Sequence, residues 1–222
     1  MQGLFITATD TGAGKTEVTA AIAHQWRREG RPFAVCKPVA TGSSREEGDP
    51  GRLGLASPHQ CLEEITPYLF HEPAAPPVAA RLAGKSLTLE QLSLAVRRLH
   101  HDGRTLLVEG VGGLLCPLTE KETVADLVQA LDLPVIIVAR RSLGTLNHTL
   151  LTLEAARSRR LRVTGIVISE TTPINSLAEE TNVAELRCRI DVPILAVVPH
   201  RSGGYSGEIP SISAVNWWSL AR

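Results

Sequence analysis

The chain has 222 residues, 43% hydrophobic and 21% charged, a balance ordinary for a globular protein with a sizeable core. Its 23 Lys+Arg offset its 23 Asp+Glu, which excludes a global field that would draw nucleic acid or an anionic membrane surface. Cys36, Cys61, Cys116 and Cys188 form no C-x-x-C pair, no basic leader precedes an apolar run, and no segment offers about 18 uninterrupted apolar residues, so zinc, secretion and membrane spanning are not expected and a cytoplasmic protein with reduced thiols is.

The run Gly3–Ala8 (GLFITA) is the first of six short apolar runs; the others are Phe33–Val39, Thr105–Gly110, Val135–Ala139, Thr164–Ser169 and Ile194–Val198. They are rich in Val, Ile and Leu and lack polar alternation, which predicts strands covered on both faces. A helix is expected over Thr16–Glu29, closed by Gly30. The Gly/Ser/Pro-rich segment Thr41–Leu62 breaks the rhythm and reads as a long functional or mobile loop. Thr88-x-x-Gln91 forms a capping box opening a helix that runs to about His101, where His100 and His101 suit a helix end. Thr123-x-x-Asp126 and Ser176-x-x-Glu179 repeat the device, Leu146–Ser158 is a further helix, and the closing ISAVNWWSLAR is a last one, with Trp217 and Trp218 read as packing or interface residues. Strand and helix alternate, which predicts an α/β fold: one domain over 1–222, a doubly wound, mainly parallel sheet with helices on both faces. Ligands then bind beyond the carboxyl ends of the strands.

The first strand feeds TDTGAGKT, ending in Gly14-Lys15-Thr16 at a helix start. A strand, a glycine turn and a helix are what a phosphate-binding loop requires. Backbone N–H groups of residues 12–16 can point at phosphate oxygens, Lys15 can reach the β- and γ-phosphates, and the Thr16 hydroxyl can ligate Mg2+. The strict pattern G-x-x-x-x-G-K-S/T wants glycine where Thr9 stands. Two further residues end strands nearby. Lys37, in CKPVATGS, can neutralise charge on a transferring phosphoryl group, or simply close a strand in solvent. Glu109, in LLVEGVGGLLCPL, can hold Mg2+, or simply close a strand before a glycine turn.

Taken together, TATDTGAGKT resembles the loop of the dethiobiotin synthetases, G-T-D-T-x-V-G-K-T, with Ala8 in place of the first glycine and Gly12 where glutamate is frequent. KPVATG matches that family's second signature, K-P-V-x-S/T-G, and EGVGG its E-G-A-G-G stretch, so the resemblance covers nearly the whole chain in order. It implies an ATP- and Mg2+-dependent cyclo-ligase that carboxylates 7,8-diaminononanoate with CO2 and closes a ureido ring. On that resemblance Lys37 and Lys15 are catalytic. Gly12, Ala13, Gly14, Lys15, Thr16, Glu17, Glu109, Gly112, Ser169, Glu170, Pro199, His200 and Arg201 contact nucleotide. Thr11, Lys37, Thr41, Gly112, Leu143, Gly144 and Asn147 contact the organic substrate, the last three from LGTLNHTLLT at the interface of an expected homodimer. Thr66–Ala80 resembles the family's substrate-facing segment, with Pro77 where many members carry His. Thr16, Glu109 and Asp49 bind metal. Asp49 is the nearest acid to the family's third ligand; straight spacing puts Gly54 at that position and a turn before Pro50 is the other reading of Asp49. Ser169-Glu170 stands where relatives read adenine with Asn, which implies relaxed nucleotide selectivity. Two other functions share this fold: a partitioning-type ATPase switch, which usually has a second lysine early in its loop, and a non-catalytic ligand-binding relative.

Overall fold

β1 (Gly3–Ala8) is buried along its whole length, with alternate residues entering separate cores on the two sides of the sheet. The computed structural model describes residues 1–100, 103–203 and 207–222. From β1 the chain turns into α1 (Lys15–Arg28), then β2 (Phe33–Cys36) and β3 (Val39–Thr41). Next come α2 (Gly48–Ala56), α3 (Leu62–Ile65), β4 (Tyr68–Phe70), α4 (Pro76–Leu82) and α5 (Leu89–Arg98). The second half alternates: β5 (Thr105–Glu109), α6 (Val124–Leu131), β6 (Val135–Arg140), α7 (Thr145–Ser158), β7 (Val163–Ser169), α8 (Leu177–Arg187) and β8 (Ile194–Val198), ending in α9 (Pro210–Ser213) and α10 (Trp217–Leu220).

Six strands pair in parallel in the order β2-β5-β1-β6-β7-β8, as the doubly wound expectation required. Phe5, Ala34, Val108 and Ile137 join α4 to α8 in one core, and Leu4, Ile6, Val35 and Ile136 join α1, α2, α9 and α10 in the other. The direction of winding reverses around β1, so its carboxyl end opens at the place where such folds bind ligands.

Three expectations are corrected. The run Phe33–Val39 is not one strand. Pro38 has no N–H to give a ladder, and the chain leaves the sheet at Lys37, whose N–H turns to Ile65 O at 2.7 Å. Val39–Thr41 then pairs with β4 in a separate two-stranded parallel sheet. The segment Thr41–Leu62 is not a bare loop, because α2 lies inside it. Pro50 is tolerated in its first turn, and burial of Leu53 and Ala56 against the α1 side of the sheet supplies what two internal glycines withhold. The closing segment is two short helical turns: Asn216 caps the second through its side chain, and the buried Trp217 donates from Nε1 to Ile212 O.

The capping boxes hold where they were expected. Thr88 accepts from Gln91 N–H while Gln91 Oε1 accepts from Thr88 N–H, and Asp126 accepts from both the N–H and the hydroxyl of Thr123. At Ser176 only half the box forms, because Glu179 reaches back to Asn175 N–H instead. The α5 helix ends at Arg98, and the expected end at His101 lies outside the described residues.

Candidate active site

Residues at or beyond the carboxyl ends of β1, β2, β5, β7 and β8 enclose one cleft of about 880 Å3. Its floor is the turn between β1 and α1. Gly14 caps α1 at φ +94°, a left-handed conformation, and a Cβ there would lie 2.5 Å from Ser169 Oγ. Glycine is therefore required twice over, by conformation and by space. The first-turn N–H groups of α1 lack intrahelical acceptors and belong to residues that line the cleft, giving an anion cradle at a positive helix end. Arg140 braces the loop from outside, donating to Thr11 O at 2.7 Å.

Lys15 is buried and donates to Gly112 O at 2.7 Å and Asp10 O at 3.3 Å. Burial holds its pKa below the usual lysine value, with Glu109 opposing that shift. Lys37, also buried, sits 2.5 Å from Glu109 Oε1 and 2.6 Å from Asp49 Oδ2. Burial alone would lower its pKa; the two carboxylates outweigh it and hold Lys37 charged. Asp49 is half-exposed. Burial raises its pKa, but Lys37 and the Thr16 hydroxyl bring it below the ordinary carboxylate value. Glu109 is fully buried: Oε1 accepts from Thr16 Oγ1 at 2.7 Å and from Lys37, while Oε2 has no partner among the described residues. Asp49 is thus a residue of the first turn of α2 aimed at Lys37, and the alternative of a mere turn before Pro50 is corrected; Gly54 lies near the end of that helix, where a Cβ would meet Leu62.

At the other end of the cleft, Glu170 is clamped. One oxygen accepts from Arg141 at 2.6 Å, and the other accepts from His200 N–H at 3.1 Å. Arg141 also donates to the carbonyls of Glu179 and Glu180, so the ends of β6, β7 and β8 and the start of α8 are tied by one guanidinium. Pro199, His200 and Arg201 form the adjoining wall. Thr41, Gly42 and Pro73–Pro76 face the phosphate loop across the cleft.

Of the residues expected to act together, Thr11, Gly12, Gly14, Lys15, Thr16, Glu17, Lys37, Thr41, Asp49, Gly112, Ser169, Glu170, Pro199, His200 and Arg201 all line this cleft. Glu109 joins it from below through Thr16 and Lys37. Ala13 is fully buried in the core, so only its backbone can serve a ligand. Leu143, Gly144 and Asn147 do not reach the cleft; they are exposed at the start of α7. A smaller cavity of about 390 Å3 lies between, bordered by His148, Leu151 and Leu115 and sharing Thr11, Gly112 and Cys116 with the main cleft. Sequence reasoning missed Arg52 and Arg141 in this region: the first lies on an unforeseen helix, and nothing local marks the second.

Comparison with known proteins agrees with this geometry. The family model described as AAA domain matches residues 2–203. The ATP-dependent dethiobiotin synthetase BioD of Anaeromyxobacter dehalogenans is 47% identical over 188 residues, covering 84% of each chain. The protein of the same name from Bacillus cereus is 39% identical over 225 residues, covering all of this chain and 93% of that one. Among solved structures, the MinC:MinD cell division complex of Aquifex aeolicus (TM-score 0.55, 15% identity, 90% of this chain and 82% of that one) shares the fold. So does a ParA family ATPase from Chlorobium tepidum (TM-score 0.55, 13% identity, 91% and 87%). A phosphate loop backed by a buried lysine between two acids, in a chain with such relatives, identifies it as a member of the ATP-dependent dethiobiotin synthetase family.

Proposed function

We propose that this protein is an ATP-dependent dethiobiotin synthetase, converting 7,8-diaminononanoate, CO2 and ATP to dethiobiotin, ADP and phosphate. One amine adds CO2 and loses a proton to give a carbamate. A carbamate oxygen attacks the γ-phosphorus and ADP leaves. The second amine attacks the carbamoyl carbon of the mixed anhydride, phosphate leaves, and the ureido ring closes. The observation that carries the reading is Lys37, a charged lysine buried in the wall that adjoins the phosphate loop.

The reaction brings two anions together, carbamate and triphosphate. Lys15 and the first-turn N–H groups of α1 suit the phosphate oxygens, and Lys37 suits the bridging charge. Thr41 and Gly112 are assigned to the diamine and Pro199 to Arg201 to the base. The residues fit Mg2+: the Thr16 hydroxyl, Asp49 and Glu109 are hard oxygen donors, and Glu109 Oε2 is buried with an unused lone pair. They would hold the ion, and when bound it supplies charge neutralisation at the phosphates. We further assign a homodimer. Leu143 is 82% exposed and Leu151 60%, an apolar surface beside Gly144 and Asn147 that a second copy would cover, bringing those residues to the neighbouring site. No helix among the described residues is long and apolar enough to cross a membrane, and a cytoplasmic setting accords with four free thiols.

The test is purified protein with ATP, Mg2+, bicarbonate and diaminononanoate, followed for phosphate release and the cyclic urea by mass spectrometry. Phosphate and urea are expected in equal amounts. Phosphate without urea would point to an ATPase switch, and neither product to a ligand-binding relative.

A further inference from the structure

Asp49 and Arg52 stand three residues apart on α2, at one end and one edge of the face whose Leu53 and Ala56 enter the core. Both line the main cleft. Asp49 reaches Lys37; Arg52 Nη2 reaches Glu17 Oε2 at 2.9 Å. Glu17 follows Thr16 in the first turn of α1, the turn whose N–H groups receive phosphate. A carboxylate there is favoured by the helix dipole, and repels a triphosphate that arrives.

The side-chain charge near the loop is balanced: Lys15, Lys37, Arg52 and Arg140 against Asp10, Glu17, Asp49 and Glu109. Lys15 and Lys37 are buried and engaged with protein acceptors. Arg52 is different. Its side chain is 49% exposed, its ion pair among the described residues is with Glu17, and a guanidinium has five N–H donors in a fork that matches phosphate. The arginine is the exposed member of the pair, Glu17 being only 17% exposed, so the guanidinium can exchange its carboxylate for a phosphate oxygen. It is not needed to hold α2, which buried Leu53 and Ala56 already anchor.

We propose that Arg52 is a phosphate-contacting residue supplied in cis, paired with Glu17 and transferred to the ATP phosphates on binding. The inference rests on the nucleotide occupying this cleft as read above. It accounts for the acid–base pair at the loop: Glu17 stores the arginine at the mouth of the site, and the ligand competes for it.

Calorimetric titration with ATP and with adenosine tests this in wild type, Arg52→Met, Arg52→Lys, Glu17→Gln and the double variant, each first checked for an unchanged melting profile. Arg52→Met is expected to weaken ATP about tenfold, the loss of one charge-assisted phosphate contact, and to leave adenosine unchanged. Arg52→Lys recovers part of the loss. Glu17→Gln moves the other way and tightens ATP, because it removes both the competitor and the repulsion. The double variant stays about tenfold weaker than Glu17→Gln. If Arg52 only masks Glu17, the double variant binds as Glu17→Gln does, and the proposal is overturned. Unchanged ATP affinity in Arg52→Met overturns it equally. Wild type that fails to bind ATP removes the nucleotide reading itself, and the proposal with it.

Discussion

Replacing Lys37 with methionine keeps the length of the side chain and deletes its charge. The structure gives the size of the effect. Glu109 is fully buried and Lys37 only 3% exposed, so the substitution leaves a carboxylate in the interior with the Thr16 hydroxyl as its remaining contact. Breaking a buried ion pair from one side costs about 3–5 kcal/mol. Loss of the half-exposed Asp49 contact adds at most about 1 kcal/mol. For a chain of this length each kcal/mol lowers Tm by about 2–4 °C, so a fall of roughly 6–24 °C is expected by differential scanning calorimetry. Adding Glu109→Gln should recover at least half of that loss, because both charges are then gone. In parallel, turnover should collapse while ATP still binds. A Lys37→Met protein that melts within about 2 °C of wild type would refute the buried-pair argument; one that turns over normally would refute the catalytic role.

Three further outcomes follow. Gly14→Ala combines a left-handed backbone with a Cβ 2.5 Å from Ser169 Oγ, so ATP affinity should fall at least about tenfold by titration; unchanged binding would mean the loop is not the phosphate site. Asp126 caps α6, and although burial raises its pKa, its bonds from Thr123 bring it below the ordinary 3.8. A depressed native pKa stabilises above the unfolded value and is lost as pH falls through the native one, so Asp126→Asn should cost about 0.3–1 kcal/mol at neutral pH and progressively less in acid, read from urea midpoints. A thiol-labelling time course should modify exposed Cys61 and Cys188 first and Cys36 only on unfolding, since burial pushes the Cys36 thiol far up. Cys116 lines the cleft, and saturating ATP should slow its labelling; labelling indifferent to ATP would take the nucleotide away from that wall.

The six strands of the main sheet were legible because a doubly covered parallel sheet leaves an unbroken apolar run, and the phosphate loop because its glycines answer to local backbone geometry. What escaped notice depends on tertiary contacts. The α2 helix has glycines at 51 and 54 and proline at 50, a poor helix by propensity, and it forms because Leu53 and Ala56 find a core. With that helix unread, Arg52 had no place in the site. Lys37 and Glu109 lie 72 residues apart; spacing could present each only as a strand end, and family resemblance alone joined them. Ser169-Glu170 stands where relatives read the base, and the fold also uses Glu170 as a buckle for the loop at His200, a role no local pattern announces.

The turn at Gly112 is a shared wall. One side borders the large cleft, the other the small cavity beside α7, and its carbonyl holds the resting Lys15 ammonium. Pressure applied in the small cavity therefore reaches Lys15 through that carbonyl. A molecule filling that chamber and shifting Gly112 by an ångström would slacken the lysine without entering the nucleotide's own space. Two chambers thus bear on one carbonyl, and a ligand confined to the smaller would act on Lys15 through it.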